Sequence, residues 1–116
     1  MKVNILGTEY TVFTDDANDP ELKGKDRAGY CFYDAREIHI ADPDTDDDWK
    51  NEPEKAKKNC INRVLRHEII HAFFMESGLA YDTVDVEAWA VNEEMVDWIA
   101  IQFPKLQKAF EEVGCL

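Results

Sequence analysis

Two hydrophobic periodicities divide the chain. In the first half apolar positions alternate with polar ones. Val3 and Ile5, then Tyr10 and Val12, flank Gly7-Thr8, which predicts two strands joined as a hairpin. Residues 14–27 are polar, with Asp15, Asp16, Asn18, Asp19, Pro20 and Gly24, and read as a loop. Residues 29–33 and the run from Glu37 to Ile40 predict two further short strands about a turn at Asp34-Ala35-Arg36. Ile38 and Ile40 then face the core and His39 faces out.

From residue 54 onward the period changes to that of helices. Residues 56–75 contain no Gly or Pro, and Gly78 follows in a position suited to a C-terminal cap. Ile61, Val64, Leu65, Ile69, Ile70, Ala72, Phe73, Phe74 and Met75 cover most of this helix's circumference, which predicts a buried helix. Asp82-Thr83 offers capping oxygens for a second helix over residues 85–102. Pro104 is expected to stop it and open a short third helix ending near Val113. Together these elements predict an α+β fold: a short antiparallel sheet of three to four strands packed on two helices. Residues 1–116 read as a single domain, a length typical of one.

Composition narrows the functional classes. Lys and Arg number 13 against 25 Asp and Glu, a net charge of −12. That argues against nucleic acid as a partner, since phosphate binding relies on clustered cations. With 45% hydrophobic residues the chain is not a disordered acidic tail. No apolar run approaches the roughly 20 residues that span a bilayer, and MKVNILGTEY lacks the features of a secretory leader. Cys31, Cys60 and Cys115 form no C-x-x-C pair, so they read as reduced thiols in a cytoplasmic protein, with Cys60 in the core. The run from Asp42 to Asp48 invites a calcium reading, but an EF-hand loop started at Asp42 puts Asp47 at the glycine position and Pro53 at the bidentate glutamate. It reads as a solvated acidic loop.

The chemistry concentrates in His67-Glu68-Ile69-Ile70-His71. Helical positions i and i+4 share a face, so both imidazoles can reach one ion. Glu68 lies about 100° round the helix, off the ligand line and near enough to contact a metal-bound water. This is the H-E-x-x-H arrangement of two zinc ligands and a general base. Two imidazoles and a carboxylate buried in an apolar helix need compensation, and a metal supplies it. The competing reading is a pair of hydrogen-bonded core histidines.

No histidine follows His71, but the second helix carries Asn92-Glu93-Glu94-Met95-Val96-Asp97. The two motifs together resemble the glutamate zincins, or gluzincins, in which H-E-x-x-H is followed by N-E-x-x-x-D on an antiparallel helix. They also look like the small ImmA/IrrE-type peptidases of phages and mobile elements. The resemblance covers about a third of the chain. It implies Zn²⁺ held by His67, His71 and Glu93, with Asp97 orienting His67 and Glu68 as the catalytic base of peptide hydrolysis. It also implies a minimal zincin-like domain whose peptide or protein substrate pairs with an edge strand, here the run from Glu37 to Ile40.

Spacing agrees in part: Glu93 and Asp97 are an i, i+4 pair, with Glu94 the alternative ligand about 100° away. From Glu76 to Asp97 inclusive there are seven acidic residues and no Lys or Arg, a layout a divalent cation would offset. An oxyanion-stabilising group is harder to place, with Tyr81, Tyr33 and His39 as candidates. Two other readings stay open: a binding or regulatory module on the same scaffold without peptidase activity, and a structural domain with core histidines.

Overall fold

A computed structural model describes residues 1–81 and 93–116, excepting the side chains of Glu93, Val96, Asp97 and Ala100. The first half holds strands β1 (Lys2–Ile5), β2 (Thr8–Asp16), β3 (Gly29–Phe32) and β4 (Glu37–Asp42). Helices α1 (Glu54–Glu76) and α2 (Glu93–Glu112) follow. The expected cap at Asp82-Thr83 and the expected helix start at residue 85 lie outside the described residues.

The hairpin forms where the alternation placed it. Leu6 and Gly7 both have positive φ, 51° and 95°, the paired left-handed conformation that matches a two-residue loop to the strands' twist. The Asn4 side-chain oxygen accepts the Gly7 N–H at 2.8 Å and holds the turn.

The sheet is mixed rather than antiparallel. Its strand order is β1-β2-β4-β3, with β2 and β4 parallel and the other two pairs antiparallel. After β2 the chain crosses to the far edge, forms β3, and returns through the turn at Arg36 to lay β4 in the gap. The expected edge strand from Glu37 to Ile40 is therefore interior. Local alternation identifies a strand but says nothing about its neighbours, which accounts for both corrections.

One face of the sheet carries Val3, Ile5, Tyr10, Val12, Ile38 and Ile40. Against it pack Val64, Leu65, Ile69, Ala72 and Phe73 of α1 and Leu106, Ala109 and Phe110 of α2. Phe74 and Trp98 meet edge to face at 4.8 Å between the helices. The far end of α1 is tied to the sheet by Glu76, which accepts hydrogen bonds from the Tyr10 hydroxyl at 2.7 Å and from Thr8 at 3.0 Å, and pairs with Arg36 at 2.9 Å. At the other end Lys57 reaches back to Asp44 at 2.6 Å, so the acidic loop anchors the start of α1.

Helix α2 runs through Pro104 without stopping. Packing of Leu106, Ala109 and Phe110 into the core holds the helix together where the proline removes a hydrogen bond. It ends at Gly114, φ 65°, where the Gly114 N–H bonds the Glu111 carbonyl and the Cys115 N–H bonds the Phe110 carbonyl. That doubly bonded glycine turn is a Schellman motif. Arg66 donates to the Cys115 carbonyl and fastens this terminus to α1. The three cysteines are free, with Cys60 packed against the core. Among the described residues no helix is long and apolar enough to cross a membrane.

Candidate functional site beneath the β3 edge

Helix α1 is not buried all round. Its buried positions, Val64, Leu65, Glu68, Ile69, Ala72 and Phe73, form one stripe at helical spacing. Glu68 belongs to that stripe. His67 and His71 sit about 100° off it and are exposed. The expectation had both imidazoles and the carboxylate buried together; packing against the sheet buries Glu68 and leaves the two rings exposed.

Gly29 of β3 makes room for Glu68. A Cβ on Gly29 would stand 2.7 Å from Val64 Cγ1, 2.9 Å from the His39 carbonyl oxygen and 3.2 Å from Glu68 Cγ. Glu68 is only 6% exposed, and burial raises its pKa to about 7 against a small opposing pull from Arg27. Its charge in turn acts on Cys31 and Tyr33. Desolvation, then Glu68 and Glu76, push the Cys31 thiol up to about 12, so it is protonated and no nucleophile at neutral pH.

The two histidines share a face as their spacing requires. Their Nε2 atoms are 3.0 Å apart and the rings meet at 70°. Desolvation, followed by the neighbouring His67, lowers the His71 pKa. Because water reaches both rings, no metal is needed to compensate their burial. Of the other expected residues, the side chains of Glu93 and Asp97 lie outside the described residues, and Glu94 is exposed. Among the described residues no group of three or more His, Cys, Asp or Glu could hold a metal ion. The zinc centre, and with it the zinc-dependent peptidase and its metal-activated base, is overturned on that finding.

The oxyanion candidates scatter. Tyr81 is 78% exposed. His39 lies on the sheet face away from the helices, stacked between Phe13 and Tyr30 with centroids at 5.0 and 4.6 Å. Asp15 and Glu37 bracket it at 2.5 and 3.1 Å.

The feature missed in the sequence is the edge of β3, which has no strand partner among the described residues. The Ala41 N–H bonds the Ala28 carbonyl across the β3–β4 pair, and the register pairs Tyr30 with His39 and Phe32 with Glu37. Antiparallel bonding alternates, so the N–H and C=O of Gly29 and Cys31 point away from β4. Beside them a cleft of about 450 Å³ is lined by Glu21, Lys25, Arg27, Tyr30, Cys31 and Phe32. Arg27 lies over the Tyr30 ring at 4.3 Å, and Phe32 is half exposed. The alternation Tyr30, Phe32 was a visible signal, but the edge position was not.

Comparison with protein-family models, with curated proteins and with solved structures finds no match. The resemblance to gluzincins and ImmA/IrrE-type peptidases is thus corrected on two counts: no family model matches, and no cluster among the described residues could hold the metal.

Proposed function

We propose that the chain is a binding module that takes up an extended, basic segment of a partner protein as an added strand on β3. The observation that carries this reading is the edge at Gly29 and Cys31, unpaired among the described residues, because main-chain bonds supply affinity in strand addition and alternate side chains supply selectivity. Phe32 and the Arg27–Tyr30 stack offer an apolar and aromatic shelf on one side. Glu68 offers a carboxyl group under the strand on the other, with His67 and His71 on the adjoining exposed strip of α1. A lysine or arginine of the partner satisfies Glu68 and draws its pKa down. The net charge of −12 favours encounter with basic segments.

Selection from a library of random decapeptides displayed on phage tests the reading. Enriched peptides should alternate basic and apolar residues, and on binding should slow hydrogen exchange at the Gly29 and Cys31 amides. Cys31→Pro, which removes one outward N–H, should abolish their binding while leaving the unfolding transition in place. Enriched peptides that leave those two amides unprotected, or no enrichment at all, would refute it.

A further inference from the structure

A second recess lies at the opposite side of the molecule, between the β1–β2 turn and α2. Its volume is about 590 Å³, within the range of small-molecule sites. Because α2 continues through Pro104, Gln102, Lys105, Ala109 and Glu112 fall on one helical face and line it together.

Three features of the lining are chemical demands. The Gln102 Oε1 is shielded from solvent and has no hydrogen-bond partner among the described residues. A buried acceptor of that kind costs about 1–3 kcal/mol until a donor reaches it. Lys105 and Lys108 are exposed, and neither ammonium makes an ion pair among the described residues. Lys2, Lys25, Lys50 and Lys57, by contrast, are matched to carboxylates. The floor is apolar, formed by Phe73 and Ala109 with Leu6 at the rim. The one carboxylate among the described lining residues, Glu112, is engaged by the Asn4 N–H at 3.3 Å.

We infer that this recess binds a small amphiphilic anion: a carboxylate for the two lysines, an N–H or O–H donor for Gln102, and an apolar body for Phe73. The inference uses none of the residues of the β3 edge and stands or falls separately from peptide binding.

N-Benzoylglycine carries all three groups and serves as the probe, titrated into the ¹⁵N-labelled full chain up to about 10 mM, where a ligand of even millimolar affinity saturates. Saturable shifts are expected at the Gln102 side-chain amide and at the backbone amides of Lys105 and Ala109. Lys105→Gln with Lys108→Gln should weaken binding about tenfold, the loss of roughly one charge-assisted contact. Gln102→Leu, which replaces the acceptor with an apolar group, should weaken it about fivefold. Benzamide, lacking the carboxylate, should bind about as weakly to the wild type as N-benzoylglycine does to the double variant. Absence of saturable shifts, affinity unchanged in the folded variants, or equal affinity for inorganic phosphate would overturn the inference.

Discussion

Gly29 and Glu68 share a space that only a residue without a side chain leaves open, a Cβ on Gly29 falling 3.2 Å from Glu68 Cγ and 2.7 Å from Val64. Gly29→Ala should therefore push β3 off α1. Overpacking of this kind costs about 1–3 kcal/mol, read as a lower urea midpoint. A variant as stable as wild type would show that the strand shifts freely.

The buried Glu68 gives stability a pH dependence of unusual sign. Its folded pKa of about 7 lies above the roughly 4.3 of an unfolded glutamate. Between those values the folded chain holds a proton that the unfolded chain has released, so this group's contribution is full below about pH 4 and declines until about pH 7. Glu68→Gln should flatten the decline and raise stability at pH 8 by up to about 3 kcal/mol. Urea unfolding at pH 5 and pH 8 checks both, and a variant less stable than wild type at pH 8 would show that the carboxylate is satisfied.

Glu76 joins the end of α1 to the sheet through the fully buried Tyr10. Burial, then Glu76 itself, raises the Tyr10 pKa far above the ordinary phenol value, so its hydroxyl remains a donor in need of an acceptor. Glu76→Ala strands that donor and should cost about 2–3 kcal/mol, whereas Glu76→Gln retains an acceptor and should cost about 1 kcal/mol. Equal losses in thermal unfolding would mean that the Arg36 pair, not the tyrosine, dominates.

Cys31 should resist alkylation. With its thiol pushed up to about 12 by burial and nearby carboxylates, only a minute fraction is thiolate at pH 8. Iodoacetamide labelling followed by peptide mass spectrometry should show Cys31 reacting at least about tenfold more slowly than a free cysteine.

Pro104 lies inside α2 at an exposed position. Pro104→Ala restores a helical N–H and relieves the ring's contact with the preceding turn, for which about 1–3 kcal/mol of stabilisation is expected. A lower melting temperature would instead mean that the proline ring is needed to seat Phe110.

The sequence by itself determined the four strands and the first helix. Alternation about Gly7 marked the hairpin, the turn before Glu37 set Ile38 and Ile40 inward and His39 outward, and the Gly-free run to Met75 marked α1. These follow from torsional preferences and from neighbours a few residues apart, which any reader of the chain can see. Only the tertiary structure decided that β4 lies inside the sheet, that α2 survives Pro104, and that α1 turns Glu68 inward while His67 and His71 face water. Each of those outcomes depends on which distant residues fill the space alongside, and that competition among packing partners is not encoded in any local stretch.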